Sequence, residues 1–207
     1  MKRGFLVFVL SGTMLTISGV ALAATTPSNQ ASITQCVQVQ YHDLSIPLQA
    51  GDLIMISQNA TSTRGLDPKA IYFYASNKER YLFPNANVFF SWCENFSQVK
   101  TISADDMASL PVGGVVTYRP GSKLIKFPSS PRVYLVTRGG VLRWVTTPAV
   151  AVGLYGPLWS KMIDDVPDVF AKPYQFGPPV KTPTELSLMD VVASTGNSIE
   201  ANLDLTK

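Results

Sequence analysis

The feature that most constrains the fold is a segment that occurs twice. Residues Ile71–Asn85 (IYFYASNKERYLFPN) and Val133–Pro148 (VYLVTRGGVLRWVTTP) each read as two short apolar strands joined by turn residues. The alignment places Ile71-Tyr72 against Val133-Tyr134, and Arg80-Tyr81-Leu82 against Arg143-Trp144-Val145. An internal period of this size is typical of proteins built from repeated modules, so the segment predicts two copies of one structural unit.

Each copy continues into helical sequence. Asn85 and Thr147 stand where a helix N-cap belongs, and apolar residues follow them at three- and four-residue spacing. A second short helix is predicted to begin at Ser103 in the first copy, and Pro167 opens the corresponding turn in the second. Two short helices are therefore expected after the strands of each copy.

A leading strand precedes each copy, at Gly51–Ile54 and at Gly121–Ile125. The sequence thus predicts an α+β fold of two tandem ββ(β)αα repeat units, over residues 51–118 and 119–180. Each unit would be a small antiparallel meander covered by short helices. Because such a meander buries little area by itself, we expect the two units to pack against each other.

The first 24 residues have the pattern of a secretory signal peptide. Two basic residues precede an apolar run, Phe5–Val20, and Ala21 and Ala23 are the small residues that cleavage requires. This pattern predicts a secreted protein that is extracellular or at the cell surface. The alternative is a retained membrane anchor, against which the shortness of the apolar run argues.

The charge of the chain argues against a polyanionic partner. Loss of Lys2 and Arg3 with the signal peptide reduces 17 basic residues to 15, against 14 acidic ones, a formal charge of +1. This balance predicts no nucleic-acid partner, and membrane contact only if the signal segment is retained.

The two cysteines, Cys36 and Cys93, are predicted to form a disulfide, because an exported chain meets an oxidising compartment. The bond would hold an N-terminal extension, residues 25–50, against the first repeat. Closing a loop of that length would stabilise the fold by about 4 kcal/mol. The alternative is a reactive Cys93 nucleophile, but the single histidine that could serve as its base, His42, lies close to Cys36 in sequence.

The C-terminal segment, residues 181–207, is polar and has no feature of the repeat. It is predicted to be a mostly mobile tail, in which only Leu186–Val192 is apolar enough to order.

Acidic pairs occur at matched positions in the two copies. Asp105-Asp106 and Asp164-Asp165 are predicted to be charges at the start of the second helix of each unit, where the helix dipole favours them. The alternative is a calcium site or an acid–base pair for glycoside hydrolysis. One histidine and two cysteines cannot build a closed zinc site, so no metal and no cofactor are predicted.

An arginine followed by an aromatic residue also occurs in both copies. Arg80-Tyr81 and Arg143-Trp144 align with each other and could form a ligand-binding platform by stacking. The alternative is that each pair is a solvated arginine beside a core aromatic residue.

Several strings occur in a characteristic order along the chain. They are RYLFPN (Arg80–Asn85), FSW (Phe90–Trp92), TISADDMASLP (Thr101–Pro111), VTYRPG (Val116–Gly121) and GVLRWV (Gly140–Val145). Together they resemble a repeat of exported bacterial surface proteins, over about Gly51–Val180. The resemblance implies an exported location and tandem units, and it carries over no catalytic residue. The loop Ser57–Pro68 is longer than the usual pattern.

These observations predict a secreted, non-catalytic cell-envelope or surface protein that acts as a structural or adhesive repeat module. Its partner would be an envelope protein or glycan. The alternative is a module that recognises a cell-wall or surface glycan through aromatic residues. A hydrolase with an unrecognised site is a third hypothesis, although the sequence has neither a phosphate-binding glycine-rich loop nor a serine nucleophile elbow.

Overall fold

Ten short strands pair into two mixed sheets in the computed structural model, which describes residues 44–205. The predicted signal peptide and most of the predicted N-terminal extension lie outside the described residues. Within them, the predicted mixed α+β character is confirmed, since two five-stranded sheets occur together with short helices.

The strands of the first sheet are β1 (Leu53–Ile56), β2 (Tyr72–Tyr74), β3 (Arg80–Leu82), β4 (Val99–Ile102) and β5 (Val112–Val115). Their order across the sheet is β4-β1-β2-β3-β5. The central three form an antiparallel meander, in which Ile54 lies opposite Tyr72 and Tyr72 opposite Leu82. A parallel strand extends the meander at each edge, β4 beside β1 and β5 beside β3.

The strands of the second sheet are β6 (Leu124–Lys126), β7 (Val133–Thr137), β8 (Val141–Trp144), β9 (Ile163–Asp165) and β10 (Gln175–Phe176). Their order is β10-β8-β7-β6-β9. The central three again form an antiparallel meander, in which Ile125 lies opposite Tyr134 and Tyr134 opposite Trp144. Parallel strands again occupy the edges, β9 beside β6 and β10 beside β8.

The sequence does not predict these four parallel edge strands, because none has a clear apolar alternation. β5 contains two glycines, β9 reads Ile-Asp-Asp, and β10 has two residues. Asp164 and Asp165 therefore lie in a strand, and the prediction that they start a helix is wrong. Asp105 and Asp106 do lie in the first turn of a helix, as predicted.

Three helices begin at the predicted caps. They are α1 (Ala86–Trp92), α2 (Ala104–Ser109) and α3 (Pro148–Tyr155). The side chains of Asn85, Ser103 and Thr147 each accept a hydrogen bond from the backbone N–H three residues on, at 2.9, 3.0 and 3.3 Å. After Pro167, a single 3-10 turn at Asp168–Phe170 stands where the first unit has α2.

Three apolar layers hold the sheets. The layer between them draws on both sheets and on α1, with Phe73, Tyr81, Val88, Phe89, Tyr134, Val136 and Leu142. The layer outside the first sheet contains Ile54, Ile56, Tyr72 and Met107 of α2, with Leu44 and Leu48 packed on it. The layer outside the second sheet contains Leu124, Leu135, Val150 and Ala151, with Leu186 and Leu188 packed on it. The two meanders therefore pack against each other through one common core.

The two sheets meet through non-equivalent faces. Val88 and Phe89 of α1 lie in the layer between the sheets, whereas Val150 and Ala151 of α3 lie in the layer outside the second sheet. The first sheet therefore presents its α1-covered face to the second sheet, which meets it with the face opposite to α3.

The C-terminal segment is more ordered than the predicted mobile tail. It forms α4 (Leu188–Ala193) and α5 (Ile199–Asn202). The side chain of Asn202 is 1% exposed, accepts a hydrogen bond from the Gly139 N–H at 3.0 Å and donates one to the Thr117 hydroxyl at 3.1 Å. Because these contacts join distant parts of the chain, local sequence gives no sign of them.

Candidate functional site

The two predicted arginine–aromatic pairs do not occupy equivalent positions. In the meanders, Arg80 lies opposite Tyr74, and the corresponding position of the second sheet is Leu142, opposite Val136. Arg143 corresponds instead to Tyr81. The sequence alignment was therefore shifted by one residue at this strand, and the structure does not bring the four residues together as one platform.

Arg80 is a buried cation. Its side chain is 6% exposed, and its guanidinium carbon lies 4.8 Å from the centroid of the Tyr72 ring. Within the described residues, its Nε and Nη1 atoms have no hydrogen-bond partner. Burial lowers the pKa of this guanidinium from its ordinary value, while the neighbouring Tyr72 opposes the shift. The ring on which Arg80 stacks belongs to Tyr72 in the apolar layer outside the first sheet, so the guanidinium faces the core.

Tyr81 lies on the opposite face, in the layer between the sheets. Its hydroxyl donates to the Glu79 carboxylate at 3.0 Å and accepts from the Asn77 amide at 2.9 Å. Burial is the largest cause that raises the pKa of Tyr81. With its ring in the core and its hydroxyl satisfied, Tyr81 has a structural environment.

Arg143 and Trp144 are both half-buried near the end of β8. The Nε of Arg143 donates to the backbone carbonyl of Pro178, which fixes the arginine along the sheet edge. Trp144 instead borders a pocket of about 370 Å³ that also contains Arg132 and Trp159. The guanidinium carbon of Arg132 lies 4.6 Å from the centroid of the Trp144 ring. Of Arg143 and Trp144, only Trp144 lines this pocket.

A pocket of about 620 Å³ lies beside the first sheet. Its wall is largely apolar and includes Phe83, Phe89 and Phe96, and its polar residues include Asp67 and Lys69 from the end of the long loop. Phe89 and Phe96 are stacked with their centroids 4.7 Å apart. A concave apolar wall with a few polar groups is the usual form of a small-ligand site.

Arg132, Phe96 and Trp159 are not among the site residues that the sequence predicts. One signal for Arg132 was available. In an antiparallel hairpin, Arg132 and Tyr134 lie on the same face, and Trp144 is the direct partner of Tyr134, so Arg132 and Trp144 are diagonal neighbours. Phe96 lies in an irregular segment and Trp159 at the start of a short 3-10 helix, Trp159–Met162, and no apolar periodicity predicts either position.

The acidic pairs are engaged in contacts that hold the fold. Asp164 accepts a hydrogen bond from the Tyr118 hydroxyl at 3.0 Å and lies 3.7 Å from the Lys123 ammonium. Asp165 lies 3.3 Å from the Lys126 ammonium. Two similar contacts occur at α2, where Asp105 pairs with Arg64 and the buried Asp106 accepts hydrogen bonds from Ser45.

Cys93 is a half-buried free thiol, and burial raises its pKa. A raised pKa reduces the thiolate fraction, which makes the thiol a weaker nucleophile at neutral pH. Its predicted disulfide partner Cys36 and the single histidine, His42, lie outside the described residues, so the disulfide stays a prediction.

Residues 44–205 contain neither a metal-binding cluster nor a membrane-spanning helix. No group of three or more histidine, cysteine, aspartate or glutamate side chains in this range is arranged to hold a metal ion. None of the helices in the same range has the length and apolar character needed to cross a bilayer. Comparison of the chain with protein-family models, curated proteins and solved structures found no match.

Proposed function

We propose that the protein is a secreted, non-catalytic cell-envelope protein, built from two tandem ββ(β)αα repeat units, that acts as an adhesive or structural module. The proposed repeat is supported by the matching strand order, strand directions and register of the two sheets. Both have the same order of strands and the same directions, and the register Ile54–Tyr72–Leu82 of one corresponds to Ile125–Tyr134–Trp144 of the other. Duplication of one unit accounts for all three agreements at once.

The non-catalytic part of the proposal is supported by the environment of the acidic pairs. Acid–base catalysis requires carboxyl groups that face a bound substrate. The carboxylate of Asp164 is instead paired with Tyr118 and with Lys123, which precedes the neighbouring strand, and that of Asp165 is paired with Lys126 of that strand. Their arrangement suits sheet stabilisation.

The proposed location depends on residues 1–24 and on the resemblance to exported repeats. Retention of that segment would attach the protein to the membrane, and its cleavage would release the module to the envelope or the medium.

An exposed aromatic patch supports adhesion. Phe90 and Phe96 are 49% and 51% exposed, lie 5.1 Å apart between ring centroids and both contact the buried Phe89. Contiguous exposed apolar groups are typical of surfaces that bind another protein. The proposed partner is an envelope protein with a complementary apolar surface.

Retention on isolated cell envelopes tests this proposal. We expect envelopes of the source organism to retain the mature protein and the Val169→Ser variant, which changes an isolated exposed apolar residue. The Phe90→Ser variant, which changes the ring of the patch that lies outside the pocket of about 620 Å³ and is verified as folded by circular dichroism, should lose most of this retention. Equal retention of all three proteins would contradict adhesion through the patch.

Glycan recognition is a second candidate, favoured by the pocket that contains Trp144, Trp159 and Arg132. Aromatic rings can pack on the C–H face of a sugar while an arginine binds its oxygen atoms. Purified wall polysaccharide should then retain the wild type and Phe176→Ala, an exposed aromatic residue outside the pocket, but not folded Trp144→Ala. Retention of Trp144→Ala at the wild-type level would exclude this site.

A further inference from the structure

We propose that the pocket beside Phe89 and the pocket beside Trp144 are one binding site that the chain carries twice, and that each binds an acidic sugar residue of an envelope polysaccharide. This inference rests on the proposed repeat and on the second candidate function, glycan recognition. It adds a second site, the class of sugar and the residues that select it.

The two pockets have corresponding walls. The registers of the second and third strands of each meander place residues of β7 and β8 62 positions after their counterparts in β2 and β3, as with Tyr72 and Tyr134. Nine of the ten residues that line the Trp144 pocket have a counterpart at that offset in the wall of the Phe89 pocket. The segments are Pro131–Val133 for Lys69–Ile71, Trp144–Pro148 for Leu82–Ala86, and Ala151 for Phe89.

The remaining residue, Trp159, also has a near counterpart. Phe96 lines the first pocket, and both aromatic residues lie between the first helix of their unit and the edge strand that follows it. The shared location explains why the pocket recurs. It opens where the second strand of the meander begins, the third strand ends and the helix starts, so the same backbone geometry forms it in each unit.

Each pocket combines aromatic side chains with one cation at its edge. Lys69 and Arg132 are exposed, lie next to each other in the alignment of the two units, and form no salt bridge within the described residues. Stacking on Trp144 leaves the N–H groups at the edge of the guanidinium plane free to donate. An unpaired cation beside an aromatic wall is complementary to a sugar that carries a carboxylate.

The two sites should differ in strength. Asp67 lines the Phe89 pocket, where it accepts a hydrogen bond from the Lys69 backbone N–H at 2.9 Å, and its negative charge opposes that of an acidic sugar. The Trp144 pocket has no acidic residue in its wall. Arginine also binds a carboxylate through two parallel hydrogen bonds, which lysine cannot do. The Trp144 site is therefore expected to be the tighter one.

Calorimetric titration with trigalacturonate as the acidic probe, and maltotriose as the neutral one, tests the inference. We expect two trigalacturonate sites in the wild type, of unequal affinity, and binding of maltotriose weaker by about tenfold or more. Arg132→Gln should remove the tighter site and Lys69→Gln the weaker one. The double variant should bind neither, and Lys172→Gln, an exposed lysine outside both pockets, should retain both.

Absence of trigalacturonate binding, a single wild-type site, or equal binding of maltotriose would overturn the inference. These outcomes are separable from failure of the proposed function, which is read from retention on envelopes and wall polysaccharide. A protein that is retained there through Trp144 but has one site in solution would keep glycan recognition and lose the duplicated site.

Discussion

Arg80 is a charged residue that is only 6% exposed in the fold. Next to Tyr81, and in an alignment with Arg143, it suggested a repeated ligand platform. In the fold Arg80 belongs to β3, and its guanidinium lies against the ring of Tyr72. The corresponding position of the second sheet is the fully buried Leu142. A shift of one residue in a strand changes the face, and matching the two arginines introduced that shift, because the two hairpins have the same length.

Arg80→Leu is expected to raise the free energy of unfolding by about 1 kcal/mol. The reason is that leucine removes a buried charge with two unpartnered nitrogens and places an apolar group where the second sheet already has one. Urea unfolding followed by circular dichroism measures the change.

The matched control is Arg143→Leu, which removes the hydrogen bond to the Pro178 carbonyl and should lower stability by about 1 kcal/mol. A loss of stability in Arg80→Leu as well would mean that the Arg80 charge has a favourable partner.

At the scale of the elements, a helix or strand was predictable from the sequence only where neighbouring residues hold it. The starts of α1, α2 and α3 were predictable, because a cap bonds to an N–H three residues away. The edge strands and α5 were not, because each is held by a partner distant in the chain. Asn202, for instance, is held by Gly139 and Thr117.

Asn202→Ala is expected to lower the free energy of unfolding by about 2 kcal/mol, because it removes the hydrogen bond to the Gly139 N–H and leaves the buried Thr117 hydroxyl without this partner. Thermal and urea unfolding of the full chain measure the loss. The same substitution at Asn59, in the exposed long loop, should change stability by less than about 0.5 kcal/mol. Equal effects at the two sites would show that α5 is not docked in solution.

At the scale of the whole molecule, the apolar layer between the sheets couples the stability of one sheet to that of the other. It contains the side of the first sheet that faces α1 and the side of the second sheet that faces away from α3. Neither sheet can therefore lose its partner without exposing apolar surface. The N-terminal residues Leu44 and Leu48 cover one outer face, and Leu186 and Leu188 cover the other. These contacts remove the apolar surface of both outer faces from water.

Leu142→Ala is expected to destabilise both sheets together. The side chain is fully buried in the shared layer, so its truncation should cost about 2–5 kcal/mol. Hydrogen exchange should report the same loss of protection for the most protected amides of β2 and of β7, because the described residues would unfold as one cooperative unit. A loss confined to the second sheet would contradict this coupling.

The sequence by itself determined the two hairpins, the helix starts and the α+β class, because alternation, turns and caps act over a few residues. It also supplied the signal-peptide and disulfide predictions, which concern residues beyond those described. Only the tertiary structure decided which face of each strand is buried, where the edge strands pair, and how the C-terminal helices dock. It alone brought Arg132, Trp144 and Trp159 to one pocket, since contacts between segments far apart in the chain arise from packing and leave no local pattern.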